Sequence, residues 1–93
     1  MAETVAYGGD GQMEVEVRLF AQVREVVGQE RIRLQLPNGA RIGILRAELV
    51  KRYPALAARQ MLLLFALNGQ YADDNTPIPP GAEIACFPPV GGG

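Results

Sequence analysis

The sequence contains no histidine, no tryptophan and no serine. Those absences remove much of the familiar catalytic apparatus. A Ser/His/Asp or Cys/His nucleophile system needs an imidazole base, and none is present; any histidine-based zinc site is excluded for the same reason. The single cysteine, Cys86, cannot form an internal disulfide, which fits a reducing compartment and predicts a cytoplasmic protein. The longest apolar run, Met61 to Leu67, is far shorter than the roughly 18 residues of a membrane span. No basic segment followed by an apolar one opens the chain, so neither secretion nor a membrane is signalled. There is also no excess of positive charge: nine basic residues face ten acidic ones, a net charge of −1, unlike a polycationic nucleic-acid binder. Chemistry, if there is any, must come from a carboxylate, a chain terminus or a partner.

What is present is an ordinary globular composition, 48% apolar and 20% charged over 93 residues, too apolar for disorder. A chain of this length makes one domain and buries only about 60–65% of the surface its unfolded form exposes. Its charges are unevenly spread. Residues 1–16 hold four acids and no base, all nine bases lie between Arg18 and Arg59, and from Gln60 onward there are only the acids Asp73, Asp74 and Glu83. Such blocks read either as solvated surface or as an electrostatic docking face.

Residues 1–12 include Gly8, Gly9 and Gly11 and show no apolar period, as expected of a flexible leader. The domain then spans 13–87. Met13, Val15, Val17 and Leu19 alternate with Glu14, Glu16 and Arg18, the pattern of a half-buried strand. Ala21 to Val27 reads as a short helix closed by Gly28. Ile32, Leu34 and Leu36 alternate with Arg31, Arg33 and Gln35 in a second strand, and Pro37-Asn38-Gly39 is a turn. The period then changes: Ile42, Leu45, Leu49 and Tyr53 form one stripe of an amphipathic helix, which Pro54 stops. One more helical turn is expected between Ala55 and Met61. Leu62 to Leu67 is a continuous apolar run, as for a strand buried on both faces. Asn68-Gly69 makes a tight turn into Gln70-Tyr71-Ala72. Asp73 to Gly81 reads as loop, and Glu83 to Phe87 as the last strand. One main helix across one face of a mixed four- to five-stranded sheet, with the last strand beside the first, is an α+β, β-grasp (ubiquitin-like) arrangement.

After Phe87 the sequence runs Pro88-Pro89-Val90-Gly91-Gly92-Gly93. The prolines favour an extended backbone of about 3.1 Å per residue, so these six residues reach about 18–20 Å beyond the sheet. Three glycines leave the final carboxylate without a neighbouring Cβ, able to thread a narrow channel. That geometry suits acyl activation, in which ATP converts the carboxylate to an acyl-adenylate and a nucleophile displaces AMP. A glycine tip is also what an inert, frayed end looks like; the Pro-Pro root and the β-grasp reading behind it favour a reactive terminus.

Phe20 falls on the polar face of its strand. If Ile84 and Cys86 face the helix, Phe87 points outward beside Phe20, with Tyr71 nearby. This is either an exposed aromatic patch of the kind found at interfaces or a cluster buried under a loop. Arg24 is a surface charge or an interface anchor. Cys86 reads as a small core residue.

Several of these segments together resemble the MoaD family, the small sulfur-carrier subunits of molybdopterin synthase within the ubiquitin-like sulfur carriers. They are Arg18-Leu19-Phe20-Ala21-Gln22-Val23-Arg24-Glu25, Tyr53-Pro54, Leu67-Asn68-Gly69, Pro80-Gly81 before Glu83-Ile84, and the ending Phe87-Pro88-Pro89-Val90-Gly91-Gly92-Gly93. The resemblance implies a protein that is not an enzyme on its own. Gly93 would be adenylated by an E1-like adenylyltransferase and become a thiocarboxylate, with a cysteine desulfurase or rhodanese as sulfur donor. The tail, Pro88, Pro89, Val90, Gly91 and Gly92, would thread the active site of the large synthase subunit in a two-plus-two heterotetramer. There Gly93 would give its sulfur to cyclic pyranopterin monophosphate. Phe20, Arg24, Tyr71 and Phe87 would form the partner interface. No metal and no permanently bound cofactor are implied; ATP enters only through the activating enzyme. Gly91 departs from the Ser or Thr of most relatives. Thiamine and tRNA-thiolation carriers, and ubiquitin-like modifiers, are the alternatives.

Overall fold

Strict alternation of apolar and polar side chains builds the first pair of strands. β1 (Gln12–Leu19) buries Met13, Val15, Val17 and Leu19, and β2 (Arg31–Pro37) buries Ile32, Leu34 and Leu36. The computed structural model describes residues 11–89. It pairs the two strands antiparallel from Gln12↔Pro37 to Arg18↔Arg31. Between them lies α1 (Ala21–Val27). Gly28 caps it at a left-handed φ of 85°, and its N–H donates to the Arg24 carbonyl at 2.7 Å, a conformation that glycine adopts without a Cβ penalty.

α2 (Ile42–Arg52) turns Ile42, Leu45 and Leu49 wholly inward. Tyr53 is half-buried at its end, before Pro54. α3 (Ala55–Ala58) is shorter than the expected turn to Met61, because the chain leaves helical geometry and Gln60 takes a φ of 54°. The remaining strands are β3 (Leu64–Leu67), β4 (Gln70–Ala72) and β5 (Ile84–Phe87). The mixed five-stranded sheet has the order β2-β1-β5-β3-β4, with β1 and β5 parallel and the other neighbours antiparallel. This is the β-grasp arrangement. The helical stripe and the inner faces of the strands form one core, in which Phe65, Met13, Leu34, Ile84 and Cys86 are all nearly inaccessible. Each large apolar side chain so buried contributes about 1.5–3 kcal/mol. Among the described residues no helix is long and apolar enough to cross a membrane.

One further expectation needs correction. The strand predicted over Leu62–Leu67 begins at Leu64, and of the six residues only Leu63 and Phe65 are buried; Leu62 is 60% exposed. The helices cover one side of the sheet, so a strand in it can bury only one side, and the apolar outer face of β3 is left open. Asp73 to Gly81 is also more than a connection. The Asp73 carboxylate accepts from the Asn75 N–H (2.9 Å) and the Thr76 hydroxyl (3.1 Å). That turn aims the Thr76 and Asp74 carbonyls at the N–H groups of Ile42 (2.9 Å) and Gly43 (3.0 Å), satisfying donors that a helix start otherwise leaves without partners. Ile78, 3% exposed, then plugs the core.

Arg46 ties these parts together. Its Nε donates to Asp74 Oδ1 (3.0 Å), its Nη1 to the Leu63 carbonyl (2.8 Å), and its guanidinium lies 5.1 Å from the Phe65 ring centroid. Replacing it removes a charge-assisted fork and a contact over a buried ring. Arg46→Met should therefore lower the unfolding free energy in urea titration by about 1–3 kcal/mol. Arg46→Lys should recover only part, since an ammonium cannot serve Asp74 and Leu63 in the same planar fork.

Cys86 is 0% exposed, and burial pushes its thiol from 9.0 up to about 12, with Arg46 opposing weakly. Between those values the unfolded chain gives up the thiol proton while the folded chain keeps it, so stability falls as pH rises through that window. In mildly alkaline buffer the native thiol should not react with Ellman's reagent and should do so fully in denaturant. Cys86→Ala should flatten the part of the alkaline stability loss that this thiol causes.

Candidate functional site

With the helices on one side, the other side of the sheet is uncovered, and strand alternation decides what it presents. On β1 and β2 it is polar: Glu14, Glu16, Arg18, Arg31, Arg33 and Gln35. On β5, β3 and β4 it is apolar. The register sets Ala66 opposite both Ala85 and Tyr71, and Leu64 opposite Phe87. The Tyr71 and Phe87 rings pack with centroids 5.7 Å apart at 60°, within the range of favourable tilted aromatic pairs. Tyr71 is 74% exposed and Phe87 is half-buried beside it.

The Asn68-Gly69 turn holds this corner. Both residues are left-handed, with φ of 51° and 84°, the conformation a two-residue hairpin turn requires. The Asn68 N–H donates to the Glu83 carbonyl (2.8 Å), and its Oδ1 accepts from the Glu83 N–H (2.9 Å). The hairpin that carries Tyr71 is thereby pinned to the start of β5, which carries Phe87.

Phe20 continues β1 in extended geometry, and its N–H donates to the Cys86 carbonyl at 3.1 Å. That bond extends the parallel pairing one residue past Leu19↔Cys86 and brings Phe20 to the level where β5 ends. The Phe20 ring carries the Arg18 guanidinium 5.4 Å from its centroid. Ala21 then takes a φ of 53°, a region seldom occupied by residues other than glycine, and this turns the chain from strand into α1. Arg24 is exposed on that helix and lines a small concavity with Arg18, Leu19, Phe20, Glu30 and Arg31.

The expected interface residues thus fall into two adjoining groups. Tyr71 and Phe87 touch; Phe20 and Arg24 share the neighbouring concavity. Among the described residues Phe20 makes no aromatic contact and lies under Arg18 instead. Leu64 and Ala66 belong to the same face and were not expected there. The signal for Leu64 and Ala66 is parity: residues alternating with a buried Phe65 on a sheet covered on one side must face outward. Pro88 is half-buried and Pro89 exposed where the chain leaves β5. Val90, Gly91, Gly92 and Gly93, expected to form the reactive tip, lie outside the described residues, as do residues 1–10 of the expected leader.

The sequence matches the ThiS family over residues 17–93. It is 33% identical over 81 residues to the molybdopterin synthase sulfur carrier subunit of Arabidopsis thaliana, across 87% of this chain and 84% of that protein. The fold is similar to the crystal structure of Haloferax volcanii small archaeal modifier protein 1, with a TM-score of 0.73 and 30% identity over 83% of this chain and 98% of the other. It is also similar to a chain from the protein–protein complex of subunits 1 and 2 of molybdopterin-converting factor from Helicobacter pylori. There the TM-score is 0.60 and the identity 32%, covering 87% of this chain and 100% of that one. The family match runs from within the first strand to the final glycines, and the solved relatives share the overall fold; the chain belongs to the ThiS family of ubiquitin-like sulfur carriers.

Proposed function

We propose that this chain is a cytoplasmic sulfur carrier for molybdenum cofactor synthesis, acting as the small, non-catalytic subunit of molybdopterin synthase. The observation that carries the reading is the placement of β5. This strand lies in the interior of the sheet, paired with β1 on one side and β3 on the other, and it delivers Pro88 and Pro89 directly from the edge of the apolar face. A partner seated on Tyr71, Phe87, Leu64 and Phe20 would receive the tail at a fixed place and angle. Ordering the tail costs about 1–2 kcal/mol of backbone entropy per residue. The partner must offset that cost, and main-chain hydrogen bonds to an extended segment are a natural means.

The chemistry is assigned to the end of the tail. In the reading we favour, the Gly93 carboxylate attacks the α-phosphate of ATP on an E1-like enzyme and pyrophosphate leaves. A persulfide carried by a desulfurase or rhodanese displaces AMP, whose phosphate keeps the departing oxygen; a second thiol then cleaves the resulting acyl disulfide, leaving the thiocarboxylate on Gly93 and a disulfide on the donor side. The large synthase subunit then takes Val90 to Gly93 into its active site, where the sulfur passes to the pterin precursor. The likeness to the Arabidopsis thaliana carrier subunit and to a chain of the Helicobacter pylori complex supports this pathway and a large-subunit partner, for which we propose a two-plus-two assembly. Thiamine and tRNA-thiolation carriers use the same activation, and the large partner that co-purifies separates them. The likeness to the small archaeal modifier protein supports a second reading, conjugation to other proteins. That reading predicts ladders of higher-mass adducts in extracts, which a dedicated carrier does not make.

Incubation with ATP, the activating enzyme and a sulfur donor should shift the intact mass by the replacement of one oxygen with sulfur. An unchanged mass, under conditions that thiolate a known carrier, would remove the proposal. Tyr71→Glu places a charge on the apolar strip at an exposed position. It should cost about 0.5–1.5 kcal/mol of folding stability through the lost aromatic pair and weaken binding of the large subunit about tenfold or more, a loss of about 1.4 kcal/mol or more, by calorimetry.

A further inference from the structure

Charge complementarity across β1 and β2 breaks at one place. Glu16 stands opposite Arg33, but two residues along the same face Arg18 stands directly opposite Arg31. Like charges facing each other across a ladder destabilise a sheet. A third cation joins them: Arg24 lines the concavity that Arg18, Phe20 and Arg31 share. Arg18 is held over the Phe20 ring, which keeps its charge at the border of the apolar strip. Glu30 is the one acid lining that concavity, and Glu16 and Glu83 lie in the groove on the other side of the arginine pair. None of these three carboxylates forms an ion pair with the arginines. The contrast is with Arg46, committed to Asp74 at 3.0 Å, and Arg41, which donates to the Asn75 carbonyl at 3.0 Å.

We infer that Arg18, Arg24 and Arg31 form a docking site for an acidic segment of a protein partner, continuous with the apolar strip at Phe20. The inference rests on the docking face proposed above and adds the chemistry of the surface that meets it: carboxylates, set beside apolar side chains. Guanidinium groups are suited to this role because they take carboxylates in paired hydrogen bonds and are weakly hydrated. An acid placed between Arg18 and Arg31 turns a repulsive pair into a bridged one, so relief of a strain present in the free chain adds to the attraction. Glu16, Glu30 and Glu83 around the site favour a short cluster of carboxylates over a continuous polyanion such as a nucleic acid, as does the net charge of −1.

The test uses the isotopically labelled full chain and hexaglutamate as probe, read by amide chemical shifts. The expected result is a set of perturbations centred on Arg18, Phe20, Arg24 and Arg31, abolished by high salt. In the double variant R18Q/R31Q, which removes both charges without adding an acid, the apparent affinity should fall about tenfold. Perturbations spread equally over Arg41, Lys51, Arg52 and Arg59, or unaltered in the double variant, overturn the inference. Tighter binding of oligothymidylate than of hexaglutamate at the same residues and salt also overturns it, assigning the site to nucleic acid. The large synthase subunit is then titrated with both proteins. Equal affinity for wild type and R18Q/R31Q overturns the inference and leaves the carrier reading standing. A wild-type chain that ignores the large subunit yet binds hexaglutamate at the three arginines does the reverse.

Discussion

The parallel pairing of β1 with β5 is the constraint on which the rest of the molecule depends. Val17, Arg18 and Leu19 pair with Ile84, Ala85 and Cys86, and the Phe20 N–H adds one further bond to the Cys86 carbonyl. Parallel neighbours cannot be joined by a tight turn, so everything between Phe20 and Glu83 must cross and return. That obligation fixes the position of α2 over one face and makes β3 and β4 an outer hairpin beside β5. It also brings the Phe-Ala turn after the first strand next to the Phe-Pro-Pro root of the tail, though the two segments are far apart in sequence. The interface candidates are neighbours because of this one ladder.

A five-stranded sheet covered by one layer of helices has a face to spare, and the sequence divides that face by charge. β1 and β2 fill it with Glu, Arg and Gln, as a solvated surface would be filled. β5 and β3 place Ala85, Phe87, Leu64 and Ala66 there, with Tyr71 from β4 beside them. Two alanines at the centre and larger side chains at the rim make a shallow apolar strip, the feature on which the proposed docking rests. Its edges are held firmly. Asn68 is bonded twice to Glu83, and Arg46 braces Phe65 from the helix side.

Much of this was legible from period and punctuation. Met13 to Leu19, Ile32 to Leu36 and the Ile42-Leu45-Leu49 stripe state their buried faces directly, and Gly28, Pro54 and Asn68-Gly69 mark where elements stop. Leu62 to Leu67 misleads because an unbroken apolar run looks the same whether its second face is covered by a helix or left open. The segment from Asp73 to Gly81 is the loop it reads as, and only its part in the packing was hidden. Its prolines and small polar residues signal a loop, but the hydrogen bonds from Ile42 and Gly43 to its carbonyls depend on where the fold puts it. The Arg18–Arg31 opposition is invisible until the register is known, since each arginine is unremarkable in its own strand. The polar half of the face could be read residue by residue; the pairings across it could not.

The missing residue types acquire a chemical sense under the proposed function. An acyl-adenylate is open to attack by any nucleophile within reach, including those of its own chain. Six residues of tail could fold back about as far as they extend, roughly 18–20 Å, and the nearest soft nucleophile in the sequence is Cys86, in the strand from which the tail departs. That thiol is 0% exposed, and burial pushes its proton affinity up to about 12. The thiolate, which is the attacking species, is therefore scarce at neutral pH, and the sulfur atom is closed off by the core. With no histidine to act as a base and no serine to be activated, the scaffold offers little that could intercept an activated end. A chain whose own tip is the reagent is better served by inert surroundings than by reactive ones, and the packing around Cys86 supplies that condition with the same atoms that hold β1, β5 and α2 together.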